Sequence, residues 1–272
     1  MESRRVPRHR RYAELSPTRE RKRSRRLPAI AVAVLATLTI TATACGTSAP
    51  SEGALEGKTA TAITSLSITA FHRQRSVTFV TKTIIGKSTT IESGAASATA
   101  ATETVTSNGH PTIQAVLVDG VAYLRASASV LAHAFSLSSA TATSYAGKWI
   151  SFHSGDSYYQ EVVNTLSKTQ AIVPFVPQEP NLRVAGVTSV AGKNAVAIAG
   201  SPAASYPAGS TATSTLFVST SAPFLPLSST IVVKGSGGKT TEQVAAVYGK
   251  WNHRVDPAAP TGATPIASVS GQ

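Results

Sequence analysis

Apolar and polar residues alternate along most of the chain after residue 75, and this alternation predicts strands with one buried face. The strands are expected at 76–85, 113–118, 121–124, 147–152, 182–190, 195–199, 213–220, 228–234 and 241–248. Residues 89–106 are rich in Thr, Ala and Ser and form either one long bent strand or two. Asn108-Gly109 and Asp119-Gly120 adopt positive φ angles readily, so they predict tight turns between neighbouring strands.

Three stretches carry a helical spacing of apolar residues instead. Residues 58–71 fit a helix and also a short strand, and we favour the helix. A short amphipathic helix is expected around 130–135, and another begins at the capping-box pattern Ser157-x-x-Gln160. Because the helices are grouped rather than alternating with strands, the fold class is α+β with a long antiparallel meander, and a parallel nucleotide-binding sheet is not expected.

The first part of the chain has the pattern of an export signal. Ser24-Arg25-Arg26 provides a basic end, and 27–44 form an uncharged run that closes with small residues. An uncleaved membrane anchor is the alternative, although the many threonines make this run a poor membrane span. The arginine pair also resembles a twin-arginine signal, so both export routes stay open.

The segment Ala42-Thr43-Ala44-Cys45-Gly46 resembles the lipobox of bacterial lipoproteins. The resemblance implies that Cys45 receives a diacylglycerol on its sulfur, with palmitate among the acyl groups, and that the leader is cleaved before it. Two or three acyl chains give stable anchoring, whereas one chain gives only marginal membrane binding. The expected location is the outer face of the bacterial cytoplasmic membrane.

Composition then sets the domain organisation and removes one class of partner. We expect a signal peptide at 1–44, a lipidated N-terminus and flexible linker at 45–57, one domain at 58–254 and a disordered tail at 255–272. The net charge of +12 resides mostly in the leader, since removing 1–44 leaves 14 basic against 10 acidic side chains. The remaining basic residues are scattered, so nucleic-acid binding is not expected.

The chain offers few groups for catalysis or metal binding. With Cys45 as the only cysteine, neither a disulfide within the chain nor a thiolate metal site can form. The histidines are dispersed and show no metal-ligand spacing, so no metal or cofactor is expected. Gly155-Asp156-Ser157 is better explained as a helix cap than as a nucleophile turn, and a hydrolase using Ser157, His153 and Asp156 is the weaker alternative. We therefore predict that the protein is not an enzyme.

Several motifs together resemble the LppX/LprAFG family of actinobacterial lipoproteins over about residues 55–257. They are the lipobox-like leader, the Thr/Ser-rich first helix, the hairpin at 119–123, Gly147-Lys148-Trp149, and a last strand that ends at Tyr248-Gly249-Lys250-Trp251. The resemblance implies a LolA/LolB-like fold, in which a curved antiparallel half-barrel is closed by a few helices around an apolar cavity. It also implies binding of a lipid, glycolipid or other amphiphile, transfer within the envelope, a membrane lipid transporter as partner, and a monomer.

Eight apolar residues are the candidates for contact with such a ligand, because they belong to the predicted inward faces of strands and helices. They are Leu117, Val121, Leu131, Phe135, Val163, Leu166, Ile172 and Phe175. Burial of each methylene of a flexible acyl chain is worth about 0.8 kcal/mol. The alternative is that these residues form an ordinary core, in an envelope scaffold or interaction lipoprotein without a ligand.

Overall fold

The computed structural model describes residues 52–270. The leader, Cys45 and the first part of the linker lie outside these residues, so their assignments stay predictions. The helices are α1 Ala60–Arg73, α2 Ala128–Ala134, α3 Ser139–Tyr145, α4 Tyr159–Thr165 and α5 Ile266–Ser270. The strands are β1 Ser76–Ile85, β2 Ser88–Ser97, β3 Ala101–Ser107, β4 His110–Val118, β5 Val121–Ala126, β6 Trp149–Phe152, β7 Gln178–Val190, β8 Lys193–Ser201, β9 Thr211–Ser219, β10 Pro226–Lys234, β11 Thr240–Gly249 and β12 Thr264–Pro265.

All twelve strands belong to one sheet, in the order β12-β6-β5-β4-β3-β2-β1-β11-β10-β9-β8-β7. Every neighbouring pair is antiparallel except β12 with β6, which is parallel. The α+β class with a curved antiparallel sheet and a few helices is therefore confirmed. The turns at Asn108-Gly109 and Asp119-Gly120 have positive φ at both residues, as tight hairpins require. Residues 89–106 form two strands, β2 and β3, rather than one.

The buried face of the sheet, called here the inner face, follows from the alternation of side chains along each strand. In β4 the buried residues are Ile113, Ala115 and Leu117, and in β5 they are Ala122, Leu124 and Ala126. The register joins these positions directly across the two strands, since Leu117 pairs with Ala122 and Ala115 with Leu124. Small alanines recur on this face, which leaves room for larger side chains from the covering helices.

The helices lie mainly over the two ends of the inner face, and inner-face residues of β1–β3 such as Val77, Ala96 and Ala101 are buried in the same cluster as helix side chains. Helix α1 packs on β7, β8, β9 and β10, and its Ile63 joins a cluster with Val196 and Leu216. Helices α2, α3 and α4 contribute their buried residues to the cluster formed by β4, β5 and β6. No described helix runs close along β1, β2 or β3, so their inner face is covered by side chains such as Phe71 of α1.

Two segments differ from the expectations for the ends of the domain. The predicted flexible linker already contains a 3-10 turn at Gly53–Leu55, and Leu55 is fully buried against the α1 cluster. The predicted disordered tail holds β12 and α5, whose Ile266 and Val269 are buried in the main core. Both sequences are rich in small residues, but one or two aliphatic side chains, worth roughly 1.5–3 kcal/mol each when buried, fix each segment in place.

The helical region between β5 and β7 also differs in detail. The short helix expected near 130–135 is present as α2, but α3 was not predicted, because its sequence is mostly Ser, Thr and Ala. The capping-box interpretation of Ser157 is wrong. The residue before α4 is Tyr158, with φ of 68° and no side-chain cap. Asp156 instead closes the preceding loop, because its carboxylate accepts a hydrogen bond from the backbone N–H of His153 at 2.7 Å.

Lys168 joins the chain after α4 to the end of α1. Its ammonium donates hydrogen bonds to the backbone carbonyls of Phe71, His72 and Gln74, and lies 4.9 Å from the centre of the Phe71 ring. The carbonyls at the end of a helix lack partners within the helix, and a cation at this end is also favoured by the helix dipole. Partial burial lowers the pKa of Lys168. One side chain therefore closes a helix and connects two parts of the chain.

We expect Lys168→Met to lower the free energy of unfolding by about 1–2 kcal/mol, because the carbonyls lose a charged donor while the aliphatic stem is kept. This corresponds to a decrease in Tm of about 2–4 °C per kcal/mol for a chain of this size. Thermal unfolding followed by circular dichroism measures it. Lys82→Met, at an exposed position of β1, is the control and should change Tm by less than about 1 °C.

Candidate functional site

Seven of the eight predicted ligand-contact residues lie in or against one apolar cluster on the inner face. Five of the seven are buried in it, and Val163 and Phe175 pack against it with partial exposure. The buried five are Leu117, Leu131, Phe135, Leu166 and Ile172. Phe135 makes ring contacts with Phe152 at 5.4 Å and with Tyr158 at 5.2 Å between ring centres. The structure therefore brings together residues from β4, α2 and the region around α4.

Val121 does not share this placement. It is half-buried, and it precedes the buried Ala122 on β5, where successive side chains point to opposite faces. It pairs with Val118, which is likewise half-buried and points to the face opposite to that of Leu117. Val121 therefore lies on the outer face of the sheet, and the proposal below rests on the other seven residues.

Two carboxyl groups lie on the inner face of β2 and β3, in the middle of the sheet. Glu92 on β2 pairs with Val105 on β3, and Glu103 pairs with Gly94, so the two glutamates are diagonal neighbours on the same face. Such diagonal residues are about 7–8 Å apart across antiparallel strands. Both side chains are half-buried. We call Glu92 and Glu103 the acidic pair.

The surroundings of the acidic pair are mostly apolar. In the row of cross-strand neighbours that contains Glu92, the inner face carries Thr81 and Ala246 on one side and Val105 and Ile113 on the other. In the next row, Phe79 covers Gly94 so closely that a Cβ there would lie 2.8 Å from the Phe79 ring. The carboxyl groups thus lie in a face otherwise built for hydrocarbon.

Burial raises the pKa of Glu92, and burial together with the negative charge of Glu92 raises the pKa of Glu103 to about 8. Tyr248 extends the polar region, because its hydroxyl lies 2.6 Å from the Ser229 hydroxyl. Burial raises the pKa of Tyr248, the Ser229 hydrogen bond opposes that change, and the charge of Glu92 adds to it. Because the charge of one carboxylate opposes ionisation of the other, a protonated Glu103 is favoured at neutral pH.

The acidic pair was not singled out from the sequence, where the carboxylates looked too sparse to form a site. A signal was nevertheless present. In 92–96 and 101–105 the alternate positions form Glu-Gly-Ala and Ala-Glu-Val, which places each glutamate on the same face as small or apolar residues. If a turn is placed at 98–100, the antiparallel pairing of 92–96 with 101–105 brings both glutamates onto the same face of the sheet.

Two surface pockets lie elsewhere. One, of about 460 Å³, lies between the β7–β8 and β9–β10 turns and includes Lys193, Asn194, Thr220 and Trp251 in its lining. The other, of about 440 Å³, lies at the β4–β5 turn, beside Asp119 and the exposed ion pair of Arg254 with Asp256 at 2.8 Å. Neither is lined by any of the predicted ligand-contact residues or by the acidic pair.

Within residues 52–270, no group of three or more His, Asp or Glu side chains is arranged to hold a metal ion. In the same part of the chain, no helix has the length and apolar character needed to cross a membrane. His153, Asp156 and Ser157 lie in the loop before α4, where the Asp156 carboxylate serves the backbone of His153. The geometry thus gives the hydrolase interpretation no support.

No protein-family model and no curated protein matches the chain, whereas several solved structures do. The lipoprotein LppX of Mycobacterium tuberculosis aligns at 14% identity with a TM-score of 0.46, over 72% of this chain and 98% of LppX. LprF from Mycobacterium bovis aligns at 13% identity with a TM-score of 0.45, over 75% of this chain and 97% of LprF. A LolA superfamily protein from Nitrosomonas europaea aligns at 9% identity with a TM-score of 0.28, over 73% and 95%.

LppX and LprF bear names of the family that the sequence resembles, and at 14% and 13% identity the likeness concerns the general fold.

We expect the stability of the protein to fall as the pH rises through the range in which Glu103 ionises. Its pKa in the folded state lies above the ordinary value of 4.5, so the folded protein holds a proton that the unfolded chain has released. Stability that is fully present below pH 4.5 is therefore lost progressively as the pH rises towards and beyond 8. The measurement is Tm between about pH 4.5 and pH 9.

Glu103→Gln should remove most of the decrease in Tm with rising pH. It should raise Tm at about pH 8.5 more than at about pH 5, by about 2–4 °C for each kcal/mol of stability regained. Glu56→Gln, at an exposed position, is the matched control and should leave the slope unchanged. An equal change in Tm at both pH values for Glu103→Gln would contradict the assignment of a raised pKa.

Proposed function

We propose that the protein is a membrane-anchored envelope lipoprotein that binds a lipid, glycolipid or other amphiphile on the inner face of its sheet. One observation carries the proposal, namely an apolar inner face whose middle strands hold two half-buried carboxyl groups. An apolar surface with a few polar groups in it is the usual composition of a small-molecule site. It matches a ligand with a hydrocarbon tail and a hydrogen-bonding head.

The tail would contact the apolar cluster, and the head would lie near the acidic pair. Each methylene removed from water contributes about 0.8 kcal/mol, so affinity comes mostly from the tail. A protonated carboxyl donates one hydrogen bond and accepts others, so the pair can bind a hydroxyl-rich head without an opposite charge. Working as a monomer, and being loaded or unloaded by a membrane lipid transporter, belong to the same proposal.

Anchoring through Cys45 is the second part of the proposal and rests on the sequence of the leader. Cys45→Ser should abolish incorporation of an alkyne-bearing palmitate into the full chain, because the acyl groups are added to the sulfur and then to the new amino terminus. Labelling in a bacterial host followed by gel fluorescence measures it. Ser48→Ala, in the linker just after the lipobox, is the control and should label like the unmodified chain.

The alternative is an envelope scaffold without a ligand. It is favoured by the close burial of Leu131, Ile172 and Phe152 against other protein side chains, each at 0% exposure. In that case the apolar cluster is a filled core. The two functions differ in whether the inner face accepts hydrocarbon.

The test uses the full chain in phospholipid nanodiscs and a palmitic acid that carries a diazirine and an alkyne. Illumination should attach the probe to peptides from the inner face of β2–β5, which mass spectrometry identifies. Val105→Trp, which fills the inner face beside Glu92, should reduce labelling at least fivefold. Thr104→Trp, the adjacent residue with its side chain on the outer face, should leave it within twofold. Absence of labelling in the unmodified chain would favour the scaffold.

A further inference from the structure

The segment 255–270, called here the strap, returns to the main core after the last long strand. Thr264 and Pro265 pair with Ile150 and Ser151 at the free edge of β6. Helix α5 follows, with Ile266 2% exposed and Val269 6% exposed in the cluster that also holds Leu131, Phe135 and Leu166. Two aliphatic side chains of the strap therefore occupy the same apolar space as the predicted ligand-contact residues.

The attachment of the strap is slight compared with that of the other strands. Its strand contributes two residues to the sheet, and its helix has five. The residues between Ile266 and Val269 are exposed, and the approach through 255–263 contains no regular element. Short elements that are held by few buried side chains open at lower cost than core strands.

The apolar space under the strap suits one kind of occupant. The buried members of this cluster are Ala, Val, Leu, Ile and Phe, together with the single hydroxyl of Tyr248, and none of them is charged. Ile266 and Val269 fill it with branched hydrocarbon. An unbranched acyl chain presents the same hydrocarbon chemistry, and it carries no backbone whose polar groups need partners.

We propose that the strap is an internal substitute for the ligand's acyl chain, and that an amphiphile enters at the β6 edge by displacing Ile266 and Val269. The inference rests on the proposed function, since it names the space that the tail of the amphiphile takes. The strap covers the apolar cluster when no ligand is bound and leaves it when an acyl chain takes its place. Binding of the acyl chain and release of the strap therefore occur as one exchange in the same apolar cluster.

The experiment compares two double variants of the full chain in nanodiscs with the diazirine palmitic acid. Ile266→Asp with Val269→Asp cannot keep the strap in an apolar cluster, so labelling of peptides that contain Phe135, Ile150 or Leu166 should rise at least threefold. Ala267→Asp with Ser268→Asp adds the same charge to the exposed side of α5 and should leave labelling unchanged. Ile266→Ala with Val269→Ala is the milder variant, used if the first does not fold.

Hydrogen exchange of the unmodified chain supplies a second readout. Adding the palmitic acid should increase exchange of the amides in 264–270 while amides in β1–β5 keep their protection. If the chain labels but neither the strap variants nor exchange in 264–270 respond, the strap proposal is wrong while the proposed function stands. If no variant labels at all, the proposed function itself fails.

Discussion

One sheet of twelve strands has to bury its inner face with only five helices in the described part of the chain, the longest of 14 residues. The rest of the structure depends on this constraint. Helix α1 covers β7–β10, the short helices α2–α4 cover the β4–β6 end, and β1–β3 are covered by side chains that reach between them, such as Phe71 of α1. With a single cysteine in the chain, a disulfide cannot supply the missing stability, so the clusters on the inner face and contacts such as that of Lys168 with the end of α1 must do so.

The partial exposure of Glu92 and Glu103 explains why two carboxyl groups are tolerated on the inner face. A carboxyl group under a helix would need a partner, whereas at the rim of a cover it keeps some contact with water and holds a proton at moderate pH. The acidic pair is therefore a consequence of incomplete covering as well as a candidate for binding the polar head of a ligand. Tyr248 and Ser229 meet the same requirement differently, since each hydroxyl provides the other's partner.

Much of the sheet could be predicted from the sequence, because alternation and turn dipeptides are local properties. The strand at 76–85 and the turn at Asp119-Gly120 are found where the pattern indicates them. What could not be predicted depends on distant partners. Helix α3 has a Ser/Thr-rich sequence and buries only Ala142, and α5 is recognisable only because Ile266 and Val269 reach a core formed by residues far earlier in the chain. Val121 shows the opposite case, in which an apolar residue in a well-predicted strand faces outwards.

The acidic pair was missed for a related reason. Glu92 and Glu103 are isolated charges in the sequence, and only the register of β2 with β3 makes them neighbours. A sequence argument would have needed both the position of the turn and the identity of the inner face. The positions of the predicted ligand-contact residues were easier to predict, since apolar residues at helical or strand spacing gather in a core whether or not they bind a ligand.

The edge formed by β7 has a consequence for a protein held at a membrane. The thirteen residues of this strand, which ends the described sheet, have no strand neighbour on one side, and this is a long surface for pairing with another chain. Pro180 removes one N–H from it, and the pairing with β8 is irregular between Gln178 and Arg183. Molecules confined to a plane meet far more often than molecules in solution, so under the proposed anchoring these interruptions would protect the protein from strand-by-strand aggregation.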